Sequence, residues 1–151
     1  MRIFLSLGSN LGNRRALIKQ AISELNASAG RVIKKSKIYE TEPVGNKNQP
    51  MFLNCCVEIE TDLPPLKLLA ACQKIEKRLG RLPEEKGKML PRTIDIDILF
   101  YGNRIINTPK LTLPHPRICE REFVLKPLAE IAFRAGTELS LSVRPKPDGF
   151  S

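Results

Sequence analysis

The sequence predicts an α+β domain in which helices pack on an antiparallel sheet, and three features of its 151 residues carry that expectation. Apolar and polar residues alternate at period two over short stretches rich in β-branched and aromatic side chains. Apolar residues recur at helical spacing between those stretches. The order that results is strand, helix, strand, strand, helix, strand, the split βαβ pattern.

Residues 2–7, "RIFLSL", read as the first strand, and "GSNLGN" ends it, with Gly8, Ser9, Asn10 and Gly12 favouring a turn and a helix cap. Over 13–28, Leu17, Ile18, Ala21, Ile22 and Leu25 make one apolar helix face, which Gly30 stops. A second strand is expected from Arg31 to Thr41, then a polar loop, "EPVGNKNQPM". In "FLNCCVEIET" Leu53, Cys55, Val57 and Ile59 face one way, while Phe52, Asn54, Glu58 and Glu60 face the other, which predicts a half-exposed third strand. Asp62, Pro64 and Pro65 open a second helix that runs to Gly80. The stretch 81–91 is a charged loop of a length that means either function or disorder. After the strand "IDIDILFY", Gly102 and Asn103 predict a hairpin into "RIINT". Residues 120–132 should be helical with an interruption at Pro127, and 139–151 should form a loosely held tail of a single domain spanning 1–151. Together these elements describe a ferredoxin-like α/β sandwich with an extra hairpin.

A 42% hydrophobic and 27% charged composition is that of an ordinary globular domain. No apolar run reaches the roughly 18 residues of a membrane span, and "MRIFLSLGSN" turns polar too early for a signal peptide, so a cytoplasmic protein without a membrane partner is expected. Cys55, Cys56, Cys72 and Cys119 show no metal or disulfide spacing and read as thiols in a reducing compartment. One histidine in the whole chain argues against zinc. The net charge of +9 favours a polyanionic partner without saying which kind.

Residues 91–102, "PRTIDIDILFYG", raise the central question. Period two sets Ile94, Ile96, Ile98 and Phe100 on one face and Asp95, Asp97, Leu99 and Tyr101 on the other. Two carboxylates about 6.5 Å apart on one strand face repel each other unless water or a shared cation intervenes. A solvated antiparallel face is the bland explanation. Residues 74–92, however, hold seven basic side chains against three acidic ones and lead directly into this strand. Paired acids beside a cationic loop suit a phosphate ester bound with a divalent metal. Asn54 and Phe52 would share the acids' face, which describes a small-molecule pocket.

The series "GSN", "YETEP", "NQPMFLN", "LPRTIDIDIL", "LPHPR" and "EREFVLKPLAEIA" resembles, in order and nearly in spacing, the 6-hydroxymethyl-7,8-dihydropterin pyrophosphokinases of folate biosynthesis over about residues 3–132. The resemblance implies a ferredoxin-like fold and transfer of pyrophosphate from ATP to the hydroxymethyl group of the pterin, with release of AMP. It implies two Mg2+ ions, both held by Asp95 and Asp97, and catalytic roles for Arg92 and Arg121 beside them. Contacts to ATP would come from Gln73, Glu76, Arg81, Lys86, Lys88, Arg92, Ile98, His115 and Arg121. Contacts to the pterin would come from Thr41, Pro43, Val44, Gly45, Phe52, Asn54, Asp95 and Phe123, the two phenylalanines sandwiching the ring. A monomer is expected, with ATP and the pterin as its partners.

Two departures qualify the match. The family usually has Trp-Gly where this chain has Met89-Leu90, which alters how the basic loop can close. The stretch after Phe133 also differs. Two rival readings are a basic ferredoxin-like RNA-binding module and a two-metal phosphodiesterase. The first is disfavoured by a 5% aromatic content and by acids that would repel RNA phosphate. The second needs more metal ligands than the sequence supplies.

Overall fold

A computed structural model of the chain describes residues 2–42, 50–80, 94–118 and 122–132. Its elements are β1 (Ile3–Ser9), α1 (Arg14–Ser28), β2 (Arg31–Lys35), β3 (Tyr39–Thr41), β4 (Phe52–Glu60), α2 (Pro65–Arg78), β5 (Asp95–Tyr101), β6 (Ile106–Asn107), β7 (Thr112–Leu113) and α3 (Glu122–Ala132). The main sheet has the order β2-β4-β1-β5, with β3 also on β4, and every pairing is antiparallel. This is the ferredoxin-like arrangement the element order predicts, and β6 and β7 form the extra hairpin.

Each sheet face has its own core. On one face Leu5, Leu7, Val57, Ile59 and Ile96 pack against Ile18 and Leu25 of α1 and Leu68, Cys72 and Ile75 of α2. On the other, Phe4, Cys56, Leu99 and Phe100 pack against Val124, Leu125, Leu128 and Ile131 of α3. Arg2 and Glu58 are an ion pair beneath this second layer, 3.1 Å apart, and the Arg2 guanidinium lies over the Phe4 ring.

The structure corrects several sequence expectations. β4 is not half exposed: Leu53 to Ile59 are all buried, because α3 covers the face that alternation assigned to water. The single strand expected over 31–41 is two strands. Ser36 breaks it, since its hydroxyl accepts the Cys56 N–H at 3.0 Å while its own N–H donates to the Cys56 carbonyl. A side-chain oxygen thus replaces a backbone carbonyl in the ladder. Beyond the break, the Lys37 N–H and the Tyr39 hydroxyl both donate to Glu130 of α3.

β1 extends through Gly8 and Ser9, so the turn begins later than expected; Gly12 takes it at φ +73°, and Asn13, not "GSN", caps α1 by accepting the Ala16 N–H. In β5 the alternation slips after Ile98. The register with β1 shifts between Phe4 and Leu5, and the bulge moves Phe100 to the α3 face and Tyr101 to the α1/α2 face. Residues 104–108 do not pair back with β5; Ile106–Asn107 pair with Thr112–Leu113. α3 continues through Pro127 without interruption. Proline removes one helical hydrogen bond, and the buried face on either side of it holds the remaining turns in place.

Candidate functional site

β1 lies between β4 and β5, so Ile3 to Gly8 are flanked on both sides. Gly8 pairs with Asn54 and with Asp95; Ser6 pairs with Cys56 and with Asp97. These two rows sit on the face that bears α3. The helix covers Phe4, Cys56, Leu99 and Phe100, so the Asn54–Gly8–Asp95 row lies beyond its main contact. Asp95 and Asp97 are half-buried there, on the strand at the sheet's edge. Directly opposed residues on adjacent strands have Cβ atoms about 5 Å apart, so Asp97 and the Ser6 hydroxyl are neighbours.

The acids' strand is held from both sides. β1 binds one edge. On the other, the Glu76 carboxylate of α2, only 4% exposed, accepts the N–H of Ile96 at 2.7 Å. Gln73, one turn earlier, is exposed, so the two α2 residues meet different surroundings although they lie three apart. The His115 N–H donates to the Leu99 carbonyl of β5, which hangs this half-buried imidazole two residues beyond Asp97. Its Nδ1 accepts the Arg117 N–H, which leaves Nε2 to carry the proton of the neutral ring. Ile98 is buried in the α1/α2 core.

Across the sheet, the Asn54 amide donates to the Thr41 hydroxyl at 2.6 Å. Asn54 is buried, and this bond holds its amide with Oδ1 turned toward Gly8. Phe52 is half-buried beside Gly8, and Phe123 packs at the margin of the α3 core. Asn10, fully buried, donates to the Pro50 carbonyl and so joins the turn after β1 to the start of β4. Across Ser6 from Asp97, burial pushes the Cys56 thiol well up, Cys55 adds to the shift, and a hydrogen bond with Ser6 opposes it. This thiol therefore stays neutral.

The structure thus assembles Thr41, Phe52, Asn54, Asp95 and Asp97 on neighbouring strands of one face. Glu76 and His115 hold to β5 from its outer edge. Pro43, Val44, Gly45, Arg81, Lys86, Lys88, Arg92 and Arg121 lie outside the described residues, as do Met89, Leu90, Cys119 and the 139–151 tail. Ser6 and Gly8 stand between β4 and the acids of β5. In "IFLSLGS" these two small residues at alternate positions interrupt an otherwise bulky strand.

The donor set suits a hard divalent cation. It is all oxygen, and among the described residues no group of three or more His, Cys, Asp or Glu side chains is placed to hold a metal. A cation on Asp95 and Asp97 would take its remaining ligands from water and phosphate, as magnesium does.

Comparison with known proteins decides the family. The model of the 7,8-dihydro-6-hydroxymethylpterin-pyrophosphokinase family matches residues 4–133. The chain belongs to this family. It is 49% identical over 129 residues to the 2-amino-4-hydroxy-6-hydroxymethyldihydropteridine pyrophosphokinase of Bacillus subtilis, covering 85% of this chain and 76% of that one. It is 48% identical over 131 residues to the folic acid synthesis protein fol1 of Pneumocystis carinii, covering 86% of this chain and 17% of the relative. The chain thus spans a small part of that longer protein and most of the Bacillus one.

The Plasmodium falciparum HPPK-DHPS crystal structure with pteroate matches at a TM-score of 0.65 and 19% identity, over 84% of this chain and 38% of that one, and supports the fold. Family membership displaces the RNA-binding alternative. Among the described residues no helix is long and apolar enough to cross a membrane.

Proposed function

We propose that this pyrophosphokinase transfers the pyrophosphoryl group of ATP to the hydroxymethyl oxygen of 6-hydroxymethyl-7,8-dihydropterin, releasing AMP, and that Asp95 and Asp97 are its metal ligands. One observation supports the reading: the two acids stand in adjacent rows with Asn54, Gly8 and Ser6 on one sheet face, and the Asn54–Gly8–Asp95 row lies beyond α3's main contact. An amide and an aromatic side chain at one end of that surface suit a flat polar heterocycle. Paired carboxylates at the other suit a metal-bound triphosphate.

In the reaction the hydroxymethyl oxygen bonds to the β-phosphorus, and the bond from that phosphorus to the α–β bridging oxygen breaks. The bridging oxygen leaves with AMP, and the hydroxyl proton passes to solvent. Two Mg2+ ions on Asp95 and Asp97 would neutralise the phosphate oxygens and align donor with acceptor. Asn54, oriented by Thr41, holds the pterin edge, and Phe52 and Phe123 flank the ring. Glu76 steadies the backbone between the two acids, His115, anchored to Leu99, reaches the nucleotide with Gln73, and Ile98, its side chain held in the α1/α2 core, offers the nucleotide only its main chain. Arg92, Arg121, Arg81, Lys86 and Lys88 supply positive charge to the phosphates, and Pro43, Val44 and Gly45 close the pterin side. A cytoplasmic setting and a monomeric enzyme complete the proposal.

The test is to incubate the protein with ATP, magnesium chloride and 6-hydroxymethyl-7,8-dihydropterin. AMP should form in equal amount with the pyrophosphorylated pterin and only when all three are present. Formation of ADP instead, or no pterin-dependent AMP, overturns the reading.

A further inference from the structure

A cation in the first turn of a helix sits at the positive end of the helix dipole, where acidic side chains are favoured. α1 nevertheless opens with Arg14 and Arg15 and has no acid in its first turn. Arg15 is exposed, but Arg14 is partly buried, and its Nη1 donates to the Met51 carbonyl at 2.7 Å and to the Glu40 carboxylate at 3.3 Å. One nitrogen thus bridges two strands. Glu40 stands next to Thr41 in β3, and Met51 precedes Phe52, the first residue of β4; Thr41 and Phe52 are paired across these strands.

β4 has no need of this bridge. Its pairing with β1 is unbroken from Ile3 to Ser9, and Asn10 already grips the Pro50 carbonyl at its entrance. β3 is held less firmly. It has three residues and, among the described strands, pairs with β4 alone. A cleft of about 330 Å3 separates it from the start of α1, and Arg14, Glu40, Ile38 and Leu53 are among the residues lining that space. Glu130 of α3 holds one end of β3 at Tyr39, and Arg14 reaches toward the other end at Glu40. Exposed ion pairs add little to global stability, so stability does not account for a cation set against the helix dipole.

We propose that Arg14 is a positioning residue for the acceptor: by tying Glu40 to the entrance of β4 it sets where Thr41 stands, and through the Thr41 hydroxyl it steadies the Asn54 amide. The proposal rests on the pyrophosphokinase reading and adds to it a residue, outside the pocket itself, that governs how tightly the acceptor binds. The route runs through β3 and involves neither β5 nor α2, which carry the nucleotide's contacts in that reading.

Arg14→Met keeps the aliphatic stem and removes both bonds, and it is made in the wild-type and in the Thr41→Val background. The measurements are the KM for 6-hydroxymethyl-7,8-dihydropterin, the turnover number, the affinity for ATP with magnesium by calorimetry, and the melting temperature. In the wild-type background the pterin KM should rise at least about fivefold, part of the effect of losing a charge-assisted hydrogen bond. Turnover and ATP affinity should stay within about twofold and the melting temperature within about 3 °C, as for an exposed ion pair. In the Thr41→Val background the same substitution should raise the pterin KM by less than about twofold, because residues acting along one path are not additive. A smaller rise in the wild-type background overturns the proposal, and so does a larger one once the Thr41 hydroxyl is gone. Losses of turnover, ATP affinity or melting temperature beyond those limits also overturn it, since Arg14 would then serve the fold at large. Wild-type protein run alongside separates the two readings. If it makes AMP and Arg14→Met leaves the pterin KM unmoved, only the role of Arg14 falls; if it neither makes AMP nor binds the pterin, the pyrophosphokinase reading falls and this one with it.

Discussion

The buried carboxylate of Glu76 accepts the backbone N–H of Ile96, the residue that separates Asp95 from Asp97, at 2.7 Å. A helix thereby fixes the strand on which both acids stand, from the side that β1 does not reach. Truncation in Glu76→Ala leaves a buried N–H unpaired, which costs about 1–3 kcal/mol. Urea denaturation should show that loss, and Glu76→Gln, which keeps an acceptor oxygen, should show less of it. The alanine variant should also need more magnesium for half-maximal turnover, which a magnesium titration of AMP release would register.

Asp95→Asn and Asp97→Asn remove charge while keeping shape. Both side chains are half-buried, so the fold should survive, and the melting temperature of each variant should stay close to wild type. Turnover should fall more than about a hundredfold, on the scale of losing one preorganised electrostatic contact. A variant that unfolds would mean that the acids serve structure.

Thr41→Val deletes the hydroxyl that accepts the Asn54 amide at 2.6 Å and leaves the volume nearly unchanged. A neutral hydrogen bond contributes about 0.5–1.5 kcal/mol, so the pterin KM should rise up to about tenfold. The turnover number should change little, because the bond orients a binding group and not a reacting one. Steady-state kinetics at saturating ATP separates the two parameters.

Burial raises the Cys55 and Cys56 thiols above their ordinary value of 9.0, and the hydrogen bond to Glu130 chiefly raises Tyr39 above 10.0. Below pH 9.0 these groups are protonated in the folded and unfolded chain alike, and their contribution to stability is constant. Above it, the unfolded chain releases protons that the folded chain retains, so stability falls as pH rises, with Tyr39 joining from pH 10.0 upward. Melting temperatures measured from about pH 8 to about pH 10 should decline in the upper part of that range. Cys56→Ala should have a shallower decline than wild type, whatever its absolute stability.

Where one residue's surroundings are set by its own strand, the sequence was readable. Alternation placed Asn54 and the two acids on a shared face, the helical spacing found α1 and α2, and the element order gave the sheet topology. Misreadings came where a distant element decides. The exposure of β4 depends on α3, which arrives about seventy residues later in the chain. The break at Ser36 depends on a hydroxyl that competes for a neighbouring strand's N–H, and the reversal of Phe100 and Tyr101 on a bulge against β1. In the site, Asp95 and Asp97 stand out because like charges on one strand need a reason. Gly8 and Ser6 lie beside them, and that placement emerges only once the strand's neighbours are known.

The terminal strand of a sheet ordinarily offers its outward amides and carbonyls to any passing chain. In β5 the Ile96 amide is claimed by Glu76 and the Leu99 carbonyl by His115, whose own segment continues from the small hairpin. The devices that steady the acids therefore also blunt the sheet against strand addition by another molecule, and protection from misassociation comes with the geometry of the site.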